Sequence, residues 1–278
     1  KRKGDCSLLI YLGRRHAMVE KILPKAIIVK RHNITDDLMK LWLKPPQGFQ
    51  SFKPGQYCTI GINGIERPYS IVSAPHEALI ELFLELIPDK LRTPASLTPM
   101  LWKLHEGDCV SMRPKAKGTF LLDLSAETHT MISTVTGIAP FVSMVRAMRN
   151  GYYTLQPHTW FYLFQGASYC CEFGYHNELE TMMYDNRKEE NLYPIVYVPT
   201  VSRPNEAPNK LWKEQTGRVN EIVEKYFHDM DIRAAETKIY LCGNQGMVDN
   251  LGNEKPTADK PLGKLIAMEY DVKQEIFF

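Results

Sequence analysis

The sequence is poor in four things, and each shortage excludes something. None of its six cysteines, Cys6, Cys58, Cys109, Cys170, Cys171 and Cys242, stands in a C-x-x-C. That removes the usual zinc and iron–sulfur ligand spacings, so no metal site is expected and any iron–sulfur partner is a separate protein. Scattered thiols suit a reducing compartment, and the expectation is a cytoplasmic protein. Charge of one sign is also scarce: 34 Lys and Arg stand against 32 Asp and Glu, a net +2. A nucleic-acid-binding domain is expected to be strongly basic, and Lys1, Arg2, Lys3, Arg14 and Arg15 read as a solvated tail. No apolar run reaches the roughly 18–20 residues of a membrane-spanning helix. The stretch Cys6 to Leu12 is followed by Arg14-Arg15 rather than a small-residue cleavage site, so no signal peptide is expected. Residues 1–18 read as an N-terminal extension, with Met18 as a natural start. Internal repeats and low-complexity tracts are absent as well.

The remainder suits one large or two ordinary domains: 278 residues, 44% of them hydrophobic. From Val19 the text reads as short strands punctuated by turns. These are Val19 to Lys30, Leu38 to Leu43, Tyr57 to Ile62, the stretch holding Tyr69, Leu79 to Ile87, Cys109 to Met112 and Gly118 to Asp123. Arg31-His32-Asn33 reads as a turn and Asn63-Gly64 as a hairpin signal. A short helix is expected over Leu97 to Leu104, with Thr98 as N-cap before Pro99. Six or more strands at regular spacing suggest a β-barrel or a sandwich over residues 19–125. After Asp123 strands alternate with helices, which predicts a parallel α/β domain over residues 126–278.

Four stretches carry candidate chemistry. Arg67-Pro68-Tyr69-Ser70 places a cation, a ring and a hydroxyl on consecutive strand residues. Alternation puts Arg67 and Tyr69 on one face, Pro68 and Ser70 on the other. The turn Thr134 to Pro140 feeds a helix and offers backbone N–H groups to a phosphate. Ser202-Arg203 pairs a hydroxyl with a guanidinium after a strand, a set that suits a phosphomonoester. Cys242-Gly243-Asn244 ends a strand in a thiol followed by a glycine, which permits close ligand approach. Each also has a plain reading: a surface Arg on a strand, a strand–helix connection, a polar loop, a buried core thiol.

In this order, these pieces resemble the ferredoxin–NADP reductase family, nearer its bacterial type. The likeness runs from Val19 to Tyr270 on Arg67-Pro68-Tyr69-Ser70, Leu97-Thr98-Pro99 to Asp108, Gly118-Thr119-Phe120, Thr136 to Phe141, Val201-Ser202-Arg203 and Cys242-Gly243-Asn244. The resemblance implies an antiparallel six-stranded FAD-binding β-barrel, a parallel α/β NADP(H)-binding domain, and a monomeric enzyme that moves a hydride between NADP(H) and FAD. Single electrons would then pass to or from ferredoxin or flavodoxin. A reductase feeding an oxygenase, a cytochrome or a larger complex is the alternative. It further implies that Arg67 neutralises the FAD pyrophosphate with Thr98, that Tyr69 stacks on the flavin, and that Ser70 lies near flavin N5. Gly118 and Thr119 would pass the FAD phosphate or ribityl side. Thr136 and Gly137 would line the NADP pyrophosphate, Ser202, Arg203 and Arg218 would hold the 2′-phosphate, and Cys242 would lie against the nicotinamide. Two places depart from the pattern. Val135 stands where the family has Gly, and a β-branched residue is strained there if φ is positive. Leu262 to Tyr270 reads as the final strand, with Tyr270 as the aromatic cover of the flavin. Eight residues then follow, in which Phe277 or Phe278 could reach the adenine side.

Overall fold

Alternation along the chain builds the first half. The computed structural model describes residues 23–188, 192–230, 232–257 and 259–276. The 1–18 extension and Phe277 and Phe278 lie outside the described residues. Strand β1 (Lys25–Asn33) buries Ala26 and Ile28 and leaves Lys25 and Ile27 exposed. With β2 (Leu38–Lys44), β3 (Tyr57–Ile62), β4 (Ile65–Ser70), β5 (Ile80–Glu85) and β6 (Cys109–Met112) it forms an antiparallel sheet of order β4-β3-β6-β1-β2-β5. Helix α1 (Thr98–Leu101) lies between β5 and β6. Residues just past β4 return to the opposite edge: Ile71 bridges Leu82, and the Val72 N–H donates to the Glu81 carbonyl at 2.9 Å. The sheet therefore closes on a core that includes Met39, Leu41, Ile60, Leu82 and Val110. Each such side chain contributes about 1.5–3 kcal/mol by leaving water. Asn63 and Gly64 both have positive φ, 50° and 80°, the backbone that a two-residue hairpin requires.

The second half is a parallel sheet. Its strands are β7 (Thr128–Thr134), β8 (Trp160–Ala167), β9 (Ile195–Val201), β10 (Gln215–Thr216), β11 (Thr237–Cys242) and β12 (Asp271–Glu275), in the order β10-β9-β8-β7-β11-β12. Its helices are α2 (Ala139–Arg149), α3 (His176–Lys188), α4 (Val219–Asp229), α5 (Gln245–Gly252) and α6 (Lys264–Ala267). Helices cover both faces, so β7, β8 and β11 are almost continuously buried, as parallel strands require. Val142, Val145 and Leu179 of α2 and α3 pack on Met131, Leu163 and Tyr240. Val223 and Val248 of α4 and α5 pack on Ile132, Phe164 and Leu241. Barrel residues Leu38, Val72, Phe83 and Phe120 join the α2–α3 face in one cluster. Strand β5 is thus buried on both sides, with Ile80, Leu82 and Leu84 facing the barrel core and Glu81 and Phe83 facing the helices.

Three local expectations change. Arg31 to Asn33 continue β1, because they pair with Met39 to Leu41 of β2. Gly118 to Asp123 is no strand; only Lys117 bridges, to Tyr57. The last strand starts after Tyr270 rather than ending there, because Lys264–Ala267 is helical.

Candidate functional site

In the parallel sheet the chain leaves β7 in one direction, reaches β10, and returns to place β11 on the other side of β7. Connections diverge at this switch point, and open α/β sheets bind ligands beyond the strand ends there. A cleft of about 620 Å³ occupies the place, lined by Thr134 to Gly137, Gly166 to Ser168, Ser202, Gly217-Arg218 and Gly243-Asn244. The sequence-predicted Thr136, Gly137, Ser202 and Arg218 therefore share one cleft.

Two glycines make the switch point possible. A Cβ on Gly137 would stand 2.1 Å from the Cys242 carbonyl oxygen; one on Gly243, at φ +143°, would stand 2.3 Å from Thr134 Oγ1. The turns after β7 and β11 thus touch backbone to backbone, tied by Asn244 N–H donating to Thr134 Oγ1 at 2.7 Å. Val135 has φ +43°, so the strain feared for a β-branched residue is present. Its carbonyl accepts from Gln165 Nε2 at 3.2 Å, and the Tyr197 hydroxyl donates to Gln165 Oε1 at 2.8 Å. Both side chains are buried, so the strained turn is held from beneath.

Arg203 follows Ser202 but is not among the residues that line the cleft. It donates to the Tyr169 hydroxyl at 2.9 Å and lies 3.8 Å from Glu206, while Tyr169 donates to Glu206 at 2.5 Å. Ser202 opens the same loop, and Arg218 is the N-cap that precedes α4.

On the barrel side, β4 carries the predicted wall. Arg67 is exposed and donates to the carbonyls of Glu66 and Ala95 at 2.7 and 2.8 Å. Tyr69 is half-buried opposite Cys58, and burial pushes its phenol up, only partly offset by Arg67. Ser70 is buried and its hydroxyl has no hydrogen-bond partner. Thr98 is the first residue of α1 rather than its cap; its hydroxyl accepts the Ile87 N–H at 3.1 Å. Gly118 has φ +109°, and its missing Cβ would touch the Tyr57 ring at 3.1 Å. Thr119 follows it, exposed.

The two sides meet through Tyr57 and Gly118. The ladder pairs Tyr57 with Ser70, and the Gly118 position lies 3.7 Å from Glu275 Oε1. Glu275 ends β12 beside Cys242. Its Oε2 is buried without a partner, and burial pushes its carboxyl up to about 7. Cys242 is fully buried; burial first, then Glu275, keeps it a thiol. Glu275 was missed in the sequence because Asp271 to Glu275 has one aliphatic residue and reads as tail. A final alternation about Val272 was the available signal.

Tyr270 does not belong to this site. It precedes β12 at the opposite end, packs on Phe227 with ring centroids 5.1 Å apart, and donates to the Ile232 carbonyl. Five strand residues at about 3.3 Å each put it about 16 Å from Glu275. Phe277 and Phe278, the other aromatics considered, lie outside the described residues.

Residues 131–252 match the oxidoreductase NAD-binding domain. The flavodoxin/ferredoxin–NADP reductase of Escherichia coli (strain K12) is 29% identical over 231 residues, covering 80% of this chain and 85% of that one. The chain is similar to ferredoxin–NADP reductases over about four-fifths of its length. The ferredoxin–NADP reductase of Pseudomonas aeruginosa is 25% identical over 80% of this chain and 84% of its own length. The fold agrees with a Neisseria gonorrhoeae ferredoxin NADP+ reductase solved with bound FAD and NADP, at TM-score 0.69 and 20% identity, over 91% of this chain and 98% of that one. A Plasmodium falciparum ferredoxin–NADP+ reductase, in complex with 2′P-AMP, superposes at TM-score 0.65 and 19% identity, over 92% and 96% of the two chains. Both family-wide expectations, an antiparallel barrel and a parallel α/β half, are met in the fold. No helix among the described residues is long and apolar enough to cross a membrane.

Proposed function

We propose that this chain is an FAD-dependent reductase that moves a hydride between NADP(H) and flavin, and single electrons to or from a ferredoxin or flavodoxin. The observation that carries the reading is the junction where Tyr57 and Gly118 link the strand of the half-buried Tyr69 and the unpartnered Ser70 hydroxyl to Glu275, which pairs in register with buried Cys242, near a cleft of dinucleotide size. Residues 19–125 form the flavin side and residues 126–278 the nucleotide side.

The residues fit both groups. A buried hydroxyl without a partner suits a ring-nitrogen acceptor, and Tyr69 offers a ring face. Arg67, Thr98, Gly118 and Thr119 are assigned to the phosphate and ribityl side. FAD, when bound, supplies the switch between two-electron and one-electron chemistry. The chain does the rest by positioning. The turn at Thr136-Gly137 offers backbone N–H groups and the positive end of α2 to the NADP pyrophosphate. Ser202, Arg203 and Arg218 receive the 2′-phosphate, with Arg203 exchanging its Tyr169 contact for the anion. Neutral Cys242 presses the nicotinamide without adding charge, and Glu275 holds a proton near neutral pH at the same place. Free thiols at Cys58, Cys109, Cys170, Cys171 and Cys242 support a reducing, cytoplasmic setting, and the working unit is a monomer.

Stopped-flow mixing of the purified flavoprotein with NADPH or NADH tests the reading. NADPH is expected to reduce the flavin and to support turnover with ferredoxin or flavodoxin. Arg203→Ala should raise KM for NADPH about tenfold, the cost of a charge-assisted hydrogen bond, and leave NADH nearly unaffected. Equal effects on both would sink the 2′-phosphate role. A colourless protein that gains no flavin on incubation with FAD would sink the enzyme.

A further inference from the structure

Helix α2 carries two polar side chains three residues apart, Ser143 and Arg146, and both reach across to the barrel. The Ser143 hydroxyl, fully buried, donates to the Ser73 carbonyl at 2.7 Å. Arg146 forks onto Glu178 of α3 at 2.6 and 2.9 Å and turns its other nitrogen to Glu81 of β5 at 2.6 Å. Glu77 adds a longer contact at 3.4 Å. Glu81 is 2% exposed and also accepts from the Tyr175 hydroxyl at 2.7 Å. The partners Ser73, Glu77 and Glu81 are themselves joined: Glu81 N–H donates to Ser73 Oγ, and Ala74 N–H to Glu77. Lys40 completes the cluster from β2, its ammonium 3.6 Å above the Tyr175 ring.

The location gives this cluster its meaning. Ser73 follows Ser70 by three residues, on the chain leaving the proposed flavin wall. Ser143 follows Gly137 by six, which is about 9 Å of helix. Helix α2 therefore joins the nucleotide turn at one end to the flavin wall in its middle. We infer that Arg146, with Ser143, is a positioning residue that sets the spacing between the Tyr69–Ser70 wall and the Thr136–Gly137 turn, and through it the hydride-transfer distance. This rests on the reductase reading above. Replacing a buried ion network by apolar residues is often neutral for stability, whereas a guanidinium fork fixes distance and angle together. Arg146 touches neither substrate nor flavin in this scheme; it acts through the two segments it joins.

The test uses the flavin-loaded full chain and three variants: Arg146→Lys, Arg146→Met combined with Glu81→Gln, and Ser143→Ala. The double variant removes the cation and one carboxylate together, and Ser143→Ala removes the second tie without touching a charge, so one misfolded variant does not end the test. The double variant should keep its flavin and lose about 10- to 100-fold in hydride-transfer rate, the cost of a small misplacement. KM for NADPH should move less than about threefold, because binding contacts are untouched. Arg146→Lys should fall between the double variant and wild type. The long-wavelength flavin–nicotinamide absorbance should weaken in the same order. Amide exchange at residues 71–74 and 135–138 should rise together by about tenfold, as it does when one cooperative unit loosens. Wild-type rates and absorbance in flavin-loaded variants would overturn the inference, as would exchange rising in one segment alone or a rate loss that tracks flavin content. A wild-type protein that NADPH does not reduce would sink the reductase reading instead, and the exchange measurement would still decide whether Arg146 couples the two segments.

Discussion

On the barrel side of the junction, Ser70 keeps a buried hydroxyl without a partner and Arg67 spends its guanidinium on two nearby carbonyls. On the sheet side, the turns after β7 and β11 satisfy each other, with Asn244 N–H on Thr134 and no room for a single Cβ at Gly137 or Gly243. The barrel wall thus keeps an unsatisfied polar group for a ligand, while the turns at the carboxyl ends of the inner strands β7 and β11 form a finished backbone joint. The difference teaches where each kind of change will register. Alterations at this joint should appear as stability, and alterations on the wall as ligand-dependent behaviour.

The largest effect should come from Gly137→Ala. The new methyl would meet a backbone carbonyl at 2.1 Å, and overpacking of this kind costs about 3 kcal/mol. Urea denaturation should show that loss even without nucleotide; unchanged stability would break the contrast. Next is Glu275→Gln. The folded carboxyl is raised to about 7 from an ordinary 4.5, so the folded state binds its proton more tightly than the unfolded chain. Wild type therefore loses stability as pH rises from about 4.5 to about 7, and the uncharged variant does not. The variant's stability relative to wild type should grow by about 3 kcal/mol between pH 4 and pH 8. A flat difference across that range would remove Glu275 from the buried junction. The smallest shift belongs to Ser70→Ala. Removing an unpaired buried hydroxyl should stabilise the flavin-free protein by about 1 kcal/mol while slowing flavin reduction. Loss of stability in the flavin-free form would mean that the wall is already complete.

Much of this was legible where local chemistry is decisive. Asn63-Gly64 demands a hairpin wherever it sits, and Tyr57 to Ile62 and Cys109 to Met112 are strands with the bounds their patterns indicate. The strain at Val135 was expected because it stands where the resembled family has Gly, and its φ is +43°. What stayed hidden depended on partners distant in sequence. Arg31 to Asn33 look like a turn until β2 pairs with them. Gly118 to Asp123 have strand composition, but the bridge there involves Lys117, just before that stretch. Glu275 stayed hidden because a polar edge strand has little hydrophobic signal, and Tyr270 was expected over the flavin only through the terminal aromatic of the resembled family. The Arg146 cluster was invisible because its partners come from 65 to 69 residues before it and 32 after.

The two-sided burial of β5 also bears on how such a chain is made. The barrel is complete in sequence by Met112, yet Phe83 and Glu81 point out of it toward helices that the ribosome has not yet produced. A nascent first half would carry an apolar strip and an unpaired carboxylate on its surface until α2 and α3 emerge. Cutting the gene between the halves should therefore yield a first fragment that is sticky rather than inert, rescued when the second fragment is co-expressed.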